Sequence, residues 1–167
     1  MQNLIKNRAV VDSDSWRLVR SADEEFSIKE DVILPLAVYL ERKDTAHEGR
    51  MAVWLAPEQD VAELQPHLSA LPLIAIDFPA FSDGRGYSHA RLLRERHGYQ
   101  GELRAIGDVL RDQLSYMAQV GFDVFAIRAD RDAAAALAGL DDFSEQYQAT
   151  VLQPVPLLRR RVSLIVA

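Results

Sequence analysis

Four times along this chain a short apolar run gives way to a segment whose apolar residues recur at helical spacing. Such alternation implies parallel strands joined by crossover helices, because a parallel pair cannot be closed by a tight turn. The apolar runs are 51–56, 73–78, 103–106 and 124–127. Helical spacing follows the first in Val61, Leu64 and Leu68, and the second in 88–97, which carries Ala90, Leu92 and Leu93. It follows the third in 109–120, through Val109, Leu110, Leu114, Met117 and Ala118, and the fourth in an alanine-rich segment reaching Leu140. Asp130 or Asp132 is placed to cap that last segment. Gly98, Gly101 and Gly121 mark turns, and Pro35 is placed to start an earlier helix that ends before Gly49. An eight-fold barrel takes about 250 residues, and this chain has 167. The expected fold is therefore α/β: about four βα units in a parallel sheet, either open or a partial barrel.

The two ends have a different texture. Residues 3–11 and 16–19 are apolar runs separated by Asp12, Ser13, Asp14 and Ser15, which predicts an N-terminal β-hairpin within residues 1–30. Residues 31–140 form the βα core and 141–167 a C-terminal extension, all within a single domain. In the extension, residues 153–156 (QPVP) should be extended. Arg159, Arg160 and Arg161 then precede a β-prone end, 162–167, expected to dock on its own sheet or on a second copy in a homodimer.

Composition removes several classes of function. The formal net charge is −6, which opposes binding to nucleic acid or to anionic membranes. There is no cysteine, so disulfides, thiol nucleophiles, thiol redox chemistry and cysteine-ligated iron–sulfur clusters are excluded. No run approaches the roughly 20 apolar residues that span a bilayer, and the first residues lack the apolar core of a signal peptide. A soluble, cytoplasmic protein is expected.

The candidate chemistry lies where strands end. In open α/β sheets ligands bind outside the carboxyl ends of parallel strands. Asp77 ends one apolar run, Asp108 follows the next, and Arg128 closes the one after. Parallel strands would bring all three to one edge, with Asp77 and Asp108 as candidate catalytic carboxylates. Each also has a structural reading: Asp77 as a loop cap or a partner of Arg85, and Asp108 as the N-cap of its helix. Between Asp77 and the next helix lies the candidate ligand loop, Ser82, Asp83, Gly84, Arg85, Gly86, Tyr87 and Ser88. Its glycines allow close backbone approach. Ser88 is placed to cap the helix, and Arg85 offers a fork suited to sulfite, sulfate, phosphate or carboxylate. The alternative is a tight turn with Arg85 paired to Asp77, Asp83 or Asp108. Neither the GxGxxG fingerprint nor a P-loop is present. His89 and His97 stand eight apart rather than four, and all four histidines read as surface residues. Trp54 and Tyr39 read as core, and Tyr87 as a ligand contact.

The run LPLIAIDFPAFSDGRGYSHARLLRERHGYQGELRAIGDVLRDQLSYMAQVGFDVFAIR, with the N-terminal LIKNRAVVDSDSWRLV, resembles an uncharacterised bacterial family over nearly the whole chain. Members are commonly labelled as a domain of unknown function or as oxidoreductases of sulfite reduction. Their genes tend to lie beside those of assimilatory sulfite reductase. The resemblance implies an accessory role in sulfite reduction, with sulfite reductase or its electron donor as partner. It leaves the cofactor unassigned. Two alternatives stand beside it. One is a small-molecule enzyme using the strand-end carboxylates, with or without a divalent metal. The other is a sensor or carrier holding a sulfur oxyanion through Arg85.

Overall fold

The computed structural model describes residues 1–165, with side chains as far as residue 161. Strands β1 (Gln2–Lys6) and β2 (Ala9–Ser13) form a hairpin. Asn7 and Arg8 at its tip both have positive φ, 52° and 58°. This is the primed-turn geometry whose twist suits a two-residue connection. Six more strands follow: β3 (Trp16–Leu18), β4 (Asp31–Pro35), β5 (Met51–Leu55), β6 (Leu73–Phe78), β7 (Glu102–Gly107) and β8 (Val124–Ala126). The helices are α1 (Leu36–Arg42), α2 (Arg85–Arg91), α3 (Leu114–Val120), α4 (Ala133–Leu137) and α5 (Leu157–Ile165).

All eight strands make one sheet in the order β2-β1-β8-β7-β6-β5-β4-β3. Strands β3 to β8 are parallel neighbours in chain order, while β1 is antiparallel to both β2 and β8. The sheet is therefore mixed, not the purely parallel one expected, and four βα units do not describe it. Two strands were hidden in the sequence. Pro35 does stand at the start of a helix, as the N-cap of α1, but it is also the last residue of β4, the strand its helix reading hid. The three-residue β3 reads as part of the hairpin but lies at the opposite edge of the sheet.

One short connection dictates the shape. Strands β2 and β3 are the two outer strands of the sheet, yet only Asp14 and Ser15 separate them. In a flat sheet of eight strands spaced about 4.8 Å apart, the edges would lie some 34 Å from each other. Three Cα–Cα steps reach at most about 11 Å. The sheet must curl, and it forms a half-barrel.

The curl explains two separate cores. The helices pack on one face, where Val32, Leu34, Val53, Ile74, Ile76, Phe78 and Ala105 meet residues such as Leu64, Leu93, Leu114 and Met117. The other face has no helix in its core cluster and buries Leu4, Trp16, Ile33, Ala52, Ala75, Ile106 and Val124 against one another. Arg104 shares the inner face at 0 % exposure. Its Nη2 donates to Asp14 at 2.5 Å and to Glu102 at 2.6 Å. An isolated charge buried this way would cost several kcal/mol, and the two carboxylates offset that cost.

The helices depart from the expected spans in their details. Val61–His67 is a 3₁₀ segment containing Pro66. Helix α2 begins at Arg85 rather than Ser88 and runs into a π-helical turn, Leu92–Arg96. The 109–120 segment opens with a 3₁₀ turn, Arg111–Gln113, and stops at Gly121, where φ is 111°. Asp132 caps α4 by accepting from the Ala134 N–H at 2.9 Å. The β-prone end expected at 162–167 is instead helical as far as Ile165, and its last two residues lie outside the described ones. A helix satisfies its own backbone groups, whereas a lone strand needs a neighbour. No described helix is long and apolar enough to cross a membrane.

Candidate functional site

The parallel strands deliver charged residues to one edge. Asp77 lies near the end of β6, Asp108 just after β7, Arg128 two residues after β8, and Arg20 two residues after β3. The Asp77 Oδ1 accepts from Arg20 Nη1 at 2.8 Å. Gly107, at φ 93°, lets β7 pass beside it. A Cβ there would stand 2.4 Å from the Phe78 carbonyl oxygen and 2.8 Å from Asp77 Oδ1. The next residue, Asp108, donates its N–H to Phe78 O at 2.7 Å. Its carboxylate accepts from the Phe81 N–H at 2.9 Å and from Arg128 Nη1 at 2.6 Å. Asp108 therefore does not cap its own helix, as one reading of the sequence had it. It clamps the β6 and β8 loops across the edge. Arg128 also donates from Nε and Nη2 to Asp130, at 2.6 and 3.0 Å. Those bonds hold Asp130 below the usual carboxylate range and Arg128 above its own.

Arg20 was not singled out in the sequence. Its guanidinium carbon lies 5.4 Å from the centroid of the Trp54 ring. Trp54 is fixed in turn by donating Nε1–H to Val19 O at 2.8 Å. Trp54 is thus half-buried on the inner face rather than plain core, whereas Tyr39 is buried as expected. The Arg20 side chain is 45 % exposed and that of Asp77 13 %. Among the described residues, Nε and Nη2 of Arg20 have no acceptor. The other two candidate cations differ. Arg128 spends all three nitrogens on carboxylates. Arg85 donates Nε and Nη2 to Asp83, at 3.0 and 2.7 Å.

The loop of Ser82, Asp83, Gly84, Arg85, Gly86, Tyr87 and Ser88 is therefore closed onto itself. Asp83 Oδ1 also accepts from the Arg85 N–H at 3.2 Å, and the paired Arg85 holds the Asp83 carboxyl down at about 2. Arg85 pairs with Asp83, not with Asp77 or Asp108. Gly84, not Ser88, is the N-cap of α2, and Ser88 lies inside the helix. Gly86 is buried, and a Cβ there would come within 2.7 Å of the Phe78 ring, so this glycine serves helix–strand packing. Tyr87 stacks between Phe78 and Tyr116, at centroid distances of 5.2 and 5.0 Å, and burial raises its pKa.

The histidines are half-buried rather than surface residues. His47 bonds the Glu30 carbonyl through Nε2 at 2.9 Å, and His67 meets Tyr39 edge-on. Burial lowers the pKa of His89, whose Nδ1 has no partner. Among the described residues no group of three His, Asp or Glu side chains converges to hold a metal ion. Beside the edge, a cavity of about 340 Å³ is lined by Leu110, Arg111, Asp112, Arg131, Asp132, Ala135 and Ala136.

A family of bacterial proteins of unknown function, DUF934, matches residues 52–158. The chain belongs to this family. The DUF934 match takes in Trp54, Asp77, the 82–88 loop, Asp108 and Arg128, so most of the charged edge falls within the family's own region. Arg20 lies before it. No curated protein matches the chain.

Proposed function

We propose that this protein is an accessory component of assimilatory sulfite reduction that binds a small oxyanion at the carboxyl edge of its half-barrel. The metabolic context rests on the family resemblance. The binding role rests on one observation: among the described residues Arg20 keeps two nitrogens without an acceptor, against one on Arg85 and none on Arg128. An oxyanion would take Nε and Nη2, on the side of the guanidinium turned away from Asp77, with Trp54 holding the group in place. This moves the binding centre from Arg85, the residue favoured by its loop, to Arg20. An independent six-electron reductase is a poor fit to a chain with no cysteine to ligate an iron–sulfur cluster.

Titration calorimetry with sulfite, sulfate and phosphate tests the reading. Arg20→Ala should weaken binding at least tenfold, and Arg85→Ala should leave it unchanged. No heat from any of the three anions would overturn the binding role. Failure to co-purify with sulfite reductase or its electron donor would remove the accessory role. A second reading is a small-molecule enzyme with Asp77 as proton acceptor. It draws support from Asp77 Oδ2, which has no hydrogen-bond partner among the described residues although the side chain is mostly buried. Loss of a turnover in Asp77→Asn, with anion binding retained, would favour it.

A further inference from the structure

The exposed large apolar side chains are unevenly placed. Phe143, Tyr147, Leu152, Val155 and Leu158 all lie in the segment after α4, and all are exposed. The segment folds back on itself and on α3. Leu157 donates its N–H to Tyr147 O at 3.2 Å, which sets the start of α5 beside Tyr147. Val151 donates to Gln119 O at 2.9 Å. Tyr116 of α3 and Tyr147 then line one cleft of about 230 Å³, with Arg91, Gln119 and Gln146. Tyr116 and Tyr147 are thus parts of one patch, and Leu158 follows the residue whose N–H is bonded to Tyr147.

Its size has a consequence. Phe143, Tyr147 and Tyr116 are 67 %, 76 % and 53 % exposed. At about 200 Å² per aromatic side chain, they alone show roughly 400 Å². That matches the largest apolar patch on a typical monomer, which is often where a partner binds. It is about half of the roughly 800 Å² that each side contributes to a standard interface. Leu152, Val155 and Leu158 add to it.

Charge selects the partner. Two copies of a chain with net charge −6 repel wherever acid faces acid. This patch is bordered by both signs, already paired: Arg91 with Glu95 at 2.9 Å, and Arg160 with Glu145 at 2.8 Å. The other carboxylates of the segment are also tied to the body, Asp141 to Arg8 and Asp142 to Arg111. A border already neutralised within each copy sets no uncompensated like charge against a second. We infer that a second copy of this chain docks here, segment against segment about a two-fold axis, with Tyr116, Tyr147 and Leu158 at the centre. This contact is separate from the oxyanion reading and does not depend on it.

Light scattering on the full chain tests it. Above about 10 µM, appropriate to a micromolar Kd, the wild type should show twice its 18.8 kDa. The double variant Tyr147→Ser/Leu158→Ser should fall to the monomer mass, its dissociation constant raised at least 100-fold. Tyr116→Ser, on a different element, should raise it at least tenfold and decides the matter if the double variant misfolds. Phe81→Ser, exposed on the loop after β6 and outside the cleft shared by Tyr116 and Tyr147, should remain dimeric. A monomeric wild type, or patch variants that stay dimeric with native circular dichroism, would overturn the inference.

Discussion

The carboxyl edge of the half-barrel and the segment after α4 leave opposite things unfinished. At the edge, charges meet in pairs: Asp77 with Arg20, Asp108 with Arg128, Asp83 with Arg85. Apart from Phe81, apolar surface there is folded into the two cores, and Arg20 is the cation with most donors left open among the described residues. Along 141–161 the carboxylates are also tied, but the apolar side chains are not covered. The difference teaches where each region's interactions must come from. On the proposed reading the edge takes a small polar ligand, which a single guanidinium can hold. The segment is prepared for a large apolar one, which only another macromolecular surface can supply.

The sharpest way to break the comparison is to damage the body itself. Arg104→Ala would empty the space of a fully buried side chain and leave Asp14 with the N-terminal ammonium alone and Glu102 with Lys6 alone. We expect a loss of about 3 kcal/mol in denaturant unfolding, the low end of the range for breaking a buried pair, because each carboxylate keeps a second cation. A loss under about 1 kcal/mol would mean that water reaches the inner face and that the curl is looser than its two-residue connection demands. Gly107→Ala comes next. Its φ of 93° and its contacts with Phe78 O and Asp77 Oδ1 leave no room for a methyl group. An expected cost of about 2–3 kcal/mol follows from strain plus overlap. Because β7 would be pushed from Asp77, anion binding at Arg20 should weaken in the same variant.

Acid tests the body in a graded way. Burial pushes the Asp14 carboxyl up, but Arg104 and the N-terminal ammonium together more than offset that and leave it below the usual range. Arg50 bonded to Asp31 holds that carboxyl well down too. Acids lowered in this way contribute stability that is complete above their unfolded values near 4. That stability is lost as pH falls through the folded values. His89 acts in an earlier window, since burial lowers its pKa from 6.5. The unfolded chain then binds the extra proton, so stability declines as pH falls below about 6.5. Denaturant midpoints between pH 7 and 3 should show a shallow fall followed by a steeper one. His89→Phe should remove the shallow part alone.

These regions were not equally legible in the sequence. Strand β6 was readable to the residue, because its apolar run ends in an acid and a proline. The same run-and-breaker logic placed β5, β7 and β8 within a residue or two. Strand β4 was hidden because Pro35 looks the same at the end of a strand and at the start of a helix. The closing of the sheet was hidden because it depends on which strands are neighbours, which local pattern does not encode. That is also why Arg20 was missed: it reaches Asp77 only because β3 lies on the parallel side of the sheet. The glycine loop drew notice through its composition, yet Arg85 and Asp83 sit two residues apart and bind each other first. A short-range partner of opposite charge was the available signal that the loop was closed.

The smallest expected effect is the most informative about the segment. Tyr147→Ser and Leu158→Ser touch side chains already in water, so in dilute solution each should change unfolding stability by less than about 0.5 kcal/mol. A partner that binds only the folded chain adds stability by mass action, rising with its concentration. The partner inferred here is the chain itself. The wild-type Tm should therefore climb as protein concentration is raised, and that of the double variant should not. The two curves should meet at the dilute end, where dimers dissociate. If they stay apart there, the exposed side chains support the fold of the monomer after all. The contrast between a finished edge and an unfinished segment would then be one of degree.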